Sequence, residues 1–259
     1  MRTLKQAAAW VGKTGLALVY GKADVVLPSL MEAICGPGPV QWAIRDDDGR
    51  FVSFTPEMGR LWKWKDELPQ KRLACAGRHL ARSAVLVAPR LLPALYAARF
   101  DDEELTPLER EVTDVVDAGP ASAPEIRRLL GTSDTKSVNK AIERLQRRLI
   151  LTNAGVTDQE QGWAAIVQDV FARRWAEQLR ELPPRDDARR SLAGAVLDVG
   201  GEVSAADVAA VLELRRRKEV ATLLDELCDL GVADARDEDG IRLWRQRSRR
   251  STAARRMSV

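Results

Sequence analysis

The sequence predicts a mainly α-helical fold with small β-hairpins, of the α+β class, organised as three tandem winged-helix modules of the helix-turn-helix type. Three observations support this prediction: an internal repeat, helix-capping pairs before short amphipathic segments, and alternating segments around glycine-containing turns. We divide the chain into an elaborated first module over 1–100, a middle module with a connecting helix over 101–182, a third module over 183–246 and a basic disordered tail over 247–259.

An internal repeat relates the middle and third modules. The segment Ser122–Leu130 reappears as Ser204–Leu212, an offset of 204 − 122 = 82 residues. The same offset, without a gap, places the apolar positions Val138, Ile142, Leu145 and Ile150 onto Val220, Leu224, Leu227 and Val232. A shared cap followed by a shared apolar stripe at one constant offset indicates two copies of one structural unit.

The first hundred residues predict three helices and two hairpins, in an order that suits a winged helix with an insertion. The elements, in order, are a helix over 1–20, a short helix with Ser29 and Glu32 at capping-box spacing, a hairpin over 42–54 around an Asp-Gly turn, a helix from Thr55 to Pro69 that buries Trp62, and a wing that pairs 72–77 with 84–88.

The sequence of the middle module predicts three helices and a hairpin. Thr106 and Glu109 form a capping box with Pro107 in the first turn, and Ser122 and Glu125 form a second one. Asp134 or Thr135 caps the third helix. Strand-like segments over 151–154 and 162–167 follow, and a helix over 169–182 connects to the third module.

The third module repeats this scheme. Helices are expected over 187–199, 204–213 and 216–230, with a break at Gly200-Gly201. Two strand-like segments then flank an Asp239-Gly240 turn, a strong local signal for a hairpin.

The composition is that of an ordinary globular protein, but its charge is unevenly distributed along the chain. Residues 241–259 contain seven arginines and no acid, so the formal charge of +3 leaves 3 − 7 = −4 for the rest. A basic end of this kind is typical of contact with a polyanion, although a solvated tail is the alternative. Residues 10–20 are interrupted by Lys13 without a cleavage pattern, and no apolar run reaches about 20 residues, so we expect a cytoplasmic protein without a membrane contact.

The sequence offers little material for a cofactor or a metal. There is one histidine, the three cysteines are far apart without a CxxC pair, and Gly12-Lys13-Thr14 lacks the earlier glycine of a phosphate loop. We therefore expect no cofactor, no metal site and no recognisable catalytic centre.

Basic residues recur at equivalent places of the three modules, on and around the third helix, which enters the major groove in helix-turn-helix proteins. A solvated helix face explains any single cluster, but three clusters at equivalent places favour contact with the phosphates and bases of double-stranded DNA. The predicted contact residues are Lys136, Asn139, Lys140, Arg144, Arg147, Arg148, Arg127 and Arg128 in the middle module, Arg215, Arg216, Arg217 and Lys218 in the third, and Lys63, Lys65 and Arg78 in the first.

The chain resembles the winged-helix family of AlkZ/YcaQ-type DNA glycosylases, which release alkylated bases and unhook crosslinks. The likeness is carried by Val26–Ile34, by Leu61–Leu68 running into the 72–88 hairpin, and by Leu91–Tyr96. It implies a tandem winged-helix scaffold that curves around duplex DNA, in repair or transcription.

The resemblance does not extend to that family's active-site motif, Gln-apolar-Gln or Gln-apolar-Asp. Gln41-Trp42-Ala43 lacks the second polar residue, and Gln159-Glu160-Gln161 has a charged centre. We expect a non-catalytic relative that binds duplex DNA. Two alternatives remain: a glycosylase with an unrecognised catalytic group such as Glu32 or Asp66, and a scaffold that binds a protein partner through the third module, whose third helix carries Asp225, Glu226 and Asp229.

Overall fold

A computed structural model of the protein describes residues 1–100, 103–157 and 164–247. It mixes helices with strands, as the α+β prediction requires. The first unit contains α1 (Leu4–Thr14), β1 (Leu16–Leu18), α2 (Leu30–Cys35), β2 (Ala43–Arg45), β3 (Phe51–Phe54), α3 (Pro56–Gln70), β4 (Cys75–Leu80), β5 (Ser83–Val87) and α4 (Leu92–Arg99).

The second half of the chain has two runs of elements in nearly the same order. The middle unit contains α5 (Pro107–Ala118), β6 (Ala121–Ser122), α6 (Ala123–Leu129), α7 (Thr135–Arg147), β7 (Leu151–Val156), β8 (Ile166–Val170) and α8 (Phe171–Arg174). The third unit contains α9 (Arg185–Gly200), β9 (Glu202–Ser204), α10 (Ala205–Leu212), α11 (Arg217–Asp229), β10 (Ala233–Glu238) and β11 (Ile241–Gln246).

Capping boxes start the helices where the sequence places them. Ser29 and Glu32 cap α2, Thr106 and Glu109 cap α5, and Asp134 caps α7 by accepting from the backbone N–H of Ser137 at 3.0 Å. Such caps satisfy backbone N–H groups that the first helical turn leaves without a partner. The predicted hairpins over 42–54 and around Asp239-Gly240 are confirmed.

The first predicted helix is too long. α1 ends at Thr14 because Gly15 has φ 86°, and the chain continues as β1, which pairs with β5. Leu16, Ala17 and Leu18 are all buried, so this segment belongs to a sheet interior rather than to an amphipathic helix.

The predicted wing of the first unit forms, but its position differs from that of a free wing. β4 and β5 pair as expected and lie inside a six-stranded sheet with the order β1-β5-β4-β7-β8-β6. β7 and β8 come from the middle unit, so the first two units share one sheet. The glycine and tryptophan of the predicted 162–167 strand lie outside the described residues, and β8 begins at Ile166.

Two further predictions are corrected. The connecting helix over 169–182 is a single turn, α8, because Asp169 belongs to β8 and the chain turns after Arg174. On α3 the buried tryptophan is Trp64, whereas Trp62 is half-buried and stacks on Phe54.

Among the described residues, the third unit shares its core with the first unit. One cluster of buried residues joins α4, α8, α9, α10 and α11, with Leu95, Trp175 and Leu192 among its members. Separate clusters lie under α1–α3 and under α5–α7. The third unit is therefore fixed against the first by shared apolar packing. No helix of the described ranges has the length and hydropathy that crossing a bilayer requires.

Candidate nucleic-acid interface

α7 presents one apolar and one polar face. Val138, Ala141, Ile142 and Leu145 are buried against the middle unit's core. On the opposite side Lys136, Asn139, Lys140 and Arg144 are exposed. We call these four residues the α7 face. Within the described part of the chain, Asn139 and Lys140 make no hydrogen bond or ion pair, so their polar groups are available to a ligand.

The end of the α7 face is anchored to the start of α5. Arg144 lies 3.7 Å from the Glu109 carboxylate, which is buried and also accepts from the backbone N–H of Thr106 at 3.0 Å. Arg127 is half-buried and Arg128 is exposed on α6, the helix before α7.

Two predicted contact residues beyond this face interact within the chain. Nε of Arg147 lies 3.4 Å from Oε2 of Glu213, which belongs to the third unit. Arg148 donates to the backbone carbonyl of Glu103. Both arginines are half-buried, so part of their surface and charge is already engaged.

The basic residues of the first unit do not form one cluster. Lys63 is exposed on α3, while Lys65 lies 2.8 Å from Asp66 and 4.2 Å from the centre of the Trp62 ring. Arg78 is on β4, where its guanidinium lies 3.6 Å from the Glu143 carboxylate of α7. The structure therefore brings Arg78, but not the two lysines, to the flank of α7.

The third unit offers an exposed basic segment at the start of α11. Arg215, Arg216, Arg217 and Lys218 are all exposed, and Arg216 pairs with Glu219 at 3.0 Å. Later turns of α11 are engaged within the unit, because Asp225 binds Arg242 at 3.0 Å and accepts from the indole N–H of Trp244 at 3.1 Å.

Three of the seven C-terminal arginines lie in the described residues, and each faces an acid. Arg242 pairs with Asp225, Arg245 lies 3.9 Å from Glu202, and Arg247 lies 2.7 Å from Asp234, whose hydrogen bond with Arg247 lowers its pKa. The other four arginines and the rest of the predicted tail, like Gln159–Gln161, lie outside the described residues.

An amide-lined cleft beside α7 was missed by the sequence reasoning. Its volume is about 440 Å³, and it lies between α7 and strands β4, β7 and β8. Gln146 donates to Oδ1 of Asn153 at 2.7 Å and to Oε1 of Gln168 at 2.6 Å, and its Oε1 accepts from the backbone N–H of Arg78 at 2.8 Å. The clue in the sequence is the position of Gln146 four residues after Ile142, which places it beside the apolar stripe of α7.

A buried polar network lies beneath this cleft. The Nδ1–H of His79 donates to the Gln146 carbonyl at 2.7 Å, and Nε2 lies 3.3 Å from Oγ1 of Thr152. Burial lowers the pKa of His79 to about 4 and raises the pKa of Cys75 to about 12. At neutral pH the imidazole is uncharged and the thiol is protonated, so neither group is an activated nucleophile or base.

The two acids proposed as alternative catalytic groups have structural partners. Glu32 accepts from the hydroxyl of Ser29 at 2.9 Å in the cap of α2, and Asp66 is held by Lys65. In the described ranges no three His, Cys, Asp or Glu side chains come together as metal ligands.

A family model described as AlkZ related matches residues 1–213. A sequence comparison with curated proteins gives no match. In structure, the chain is similar to the Streptomyces sahachiroi DNA glycosylase AlkZ, with a TM-score of 0.52 and 13% identity over 93% of this chain and 64% of that one. The chain thus spans less than two thirds of that structure's length.

A second structure, the DIP2311 protein from Corynebacterium diphtheriae, covers 82% of this chain and 43% of its own, with a TM-score of 0.23 and 16% identity. That score is too low to support an argument about fold.

Proposed function

The chain belongs to the AlkZ-related family, and on that premise we propose that it binds duplex DNA in a repair pathway through winged-helix modules repeated in tandem. Element boundaries support the repeat. α7 and α11 start 217 − 135 = 82 residues apart and have 13 residues each, and β7 and β10 start 233 − 151 = 82 residues apart with six residues each. The order of helix, short strand, helix, helix and hairpin is that of a winged helix.

The observation that carries the proposal is the α7 face. In a helix-turn-helix module, the third helix lies in the major groove and uses its exposed side chains on phosphates and base edges. Lys136, Lys140 and Arg144 supply positive charge for phosphates, and Asn139 supplies the amide that pairs with an adenine edge. Arg128, exposed in the last turn of α6, adds a flanking phosphate contact.

The other basic residues have secondary roles in this proposal. Arg78 reaches the interface beside α7, while Arg147 links the middle unit to the third and Arg148 binds the backbone carbonyl of Glu103 within the middle unit. The third unit contacts DNA only through the start of α11, because the later acidic turns repel a phosphate backbone.

Salt-dependent binding of a plain duplex tests the proposal. Lys140→Ala removes one exposed cation, so we expect weaker binding and a reduction of about 1 in the slope of log Kobs against log salt. Lys5→Ala on α1 is the matched control, since Lys5 is also exposed but belongs to a different unit. No binding at about 10⁻⁶ M in low salt, or equal losses for both variants, would count against duplex binding.

Glycosylase activity is the second candidate, favoured by the family assignment. Incubation of alkylated duplexes with the full chain, followed by detection of abasic sites, tests it. Release of a base that Asp66→Asn abolishes and Glu32→Gln preserves would assign the role to Asp66. No abasic sites with any lesion would support a non-catalytic relative.

A protein-binding role for the third unit predicts a different result. A stable partner would co-purify with the chain and stay bound when duplex DNA is added in excess. Release of the partner by DNA would instead place both ligands on one surface.

A further inference from the structure

A cavity lies at the contact between the first and third units and is lined by residues of both. Its volume is about 430 Å³, which is within the range of about 300–1,000 Å³ typical of small-ligand pockets. We call it the joint cavity. It is lined by Lys22, Asp24 and Val25 from the loop after β1, by Ala81 and Arg82 from the β4–β5 turn, by Ala206, Ala209 and Ala210 of α10, and by Glu213, Leu214, Arg215 and Arg217.

The backbone at this joint is strained. Ala81 and Arg82 have φ values of 55° and 47° in a two-residue turn between the paired residues Leu80 and Ser83, and Glu213 has φ 54°. Glycine or asparagine adopts this left-handed region at little cost, whereas other residues in unfavourable backbone conformations cost about 1–3 kcal/mol each.

Hydrogen bonds between the units hold the strained turn in place. The backbone N–H of Ala81 donates to the carbonyl of Val211 at 2.9 Å, and the backbone N–H of Arg82 donates to Oε1 of Glu213 at 3.0 Å. The guanidinium of Arg82 is not used in these bonds and remains exposed at the cavity wall.

Positive charge in the joint cavity exceeds what its own acids neutralise. Four cations and two carboxylates line it. Asp24 pairs with Lys22 at 3.1 Å, and Glu213 is engaged by Arg147 and by the Arg82 N–H. The side chains of Arg82, Arg215 and Arg217 make no hydrogen bond or ion pair to any residue in the described ranges. Three unpaired guanidinium groups in one concave site concentrate a field that attracts anions.

We propose that the joint cavity is an anion site that binds a phosphate group through Arg82, Arg215 and Arg217. Guanidinium groups match phosphate in geometry, because two parallel N–H groups can donate to two of its oxygens. The phosphate belongs either to a DNA backbone or to a small phosphorylated compound. This site is separate from the α7 face, and a bound phosphate would also link the third unit to the first.

Thermal unfolding of the full chain in sodium phosphate and in sodium chloride, at matched ionic strength, tests the site with inorganic phosphate as the probe. A ligand that binds only the folded state raises Tm, so we expect a saturable rise in phosphate that chloride does not give. Arg82→Gly removes the side chain while suiting the left-handed turn, and Arg215→Ala acts in an exposed link. Each should weaken phosphate binding in calorimetry by about tenfold or more.

Arg180→Ala is the matched control, because Arg180 is exposed and lies outside the cavity lining. The proposal is overturned if phosphate and chloride give the same Tm, or if Arg82→Gly and Arg215→Ala respond to phosphate as the wild type does. A salt titration of duplex binding with the same variants identifies the source. A slope reduced by about 1 assigns the phosphate to DNA, and an unchanged slope assigns it to a small compound. Phosphate binding without any duplex binding would support this site while overturning the proposed function.

Discussion

Arg147 on α7 and Glu213 at the end of α10 lie 3.4 Å apart, which links the middle unit to the third. The contact is an ion pair without a hydrogen bond, because Nε of Arg147 has no suitably aligned acceptor. Glu213 also accepts from the Arg82 N–H and faces Arg99, whose burial lowers its pKa while Glu213 opposes that shift. The Glu213 carboxylate therefore interacts with cations of both the first and the middle units.

Removing the charge of Glu213 should weaken this joint. Glu213→Gln keeps an acceptor for the Arg82 N–H but removes the negative charge that faces Arg147 and Arg99, so we expect a loss of about 2 kcal/mol in the free energy of unfolding. Urea denaturation measures it. Glu219→Gln is the control, because among the described residues Glu219 forms an ion pair only with the exposed Arg216 and should change stability by less than about 0.5 kcal/mol. Equal losses of stability in the two variants would mean that Glu213 does not stabilise the contact between the units.

The sequence predicted local structure well in the second half, where two copies support each other. Caps at Thr106, Ser122 and Ser204 and the apolar stripe of α7 were read correctly because they depend on neighbours three or four residues away. Periodicity failed at Leu16–Leu18, since a fully buried strand has the same apolar run as a helix face.

The geometry of the candidate interface, unlike its role, can be compared with the sequence. Exposure of Lys136 and Lys140 follows from helical periodicity, but the shared sheet and the pairs Arg147–Glu213 and Arg78–Glu143 are contacts between distant segments. Local pattern contains no information about such pairs. The strained Arg82 turn was also not visible, because its conformation is fixed by bonds to α10 and its end.

A methyl group at position 77 should disrupt the network under the cleft. A Cβ added to Gly77 would lie 2.5 Å from Nε2 and 2.8 Å from Cε1 of His79, whose ring is buried and held by the Gln146 carbonyl. Gly77→Ala should therefore lower the free energy of unfolding by about 1–3 kcal/mol, as overpacking does. Gly59→Ala, on α3 with no atom within 4 Å of the added Cβ, should be neutral or stabilise by up to about 1 kcal/mol. Chemical denaturation of both variants compares them, and a Gly77→Ala protein as stable as the wild type would contradict the geometry.

Stability should fall as the pH drops through the range in which histidine titrates. His79 is the chain's one histidine, and burial lowers its pKa from 6.5 to about 4. Below pH 6.5 the His79 side chain binds a proton in the unfolded state but not in the folded state, so protonation stabilises the unfolded state. The linkage relation gives a loss of about 2 kcal/mol between about pH 7 and pH 5, and about 3 kcal/mol by pH 4. Carboxylates with lowered pKa, such as Glu125 and Asp134, add to the loss only below about pH 4.5.

Urea denaturation at several pH values measures this dependence, and His79→Gln separates it from other titrations. Glutamine cannot take up the proton, so the variant should start less stable at pH 7 but show a nearly flat stability between about pH 7 and pH 5. The comparison uses slopes, which keeps the test informative even though the variant loses the ring's packing against Phe171. A wild-type stability that is flat over the same range would mean that His79 binds its proton in the folded state, which its burial between the Gln146 carbonyl and Thr152 should prevent.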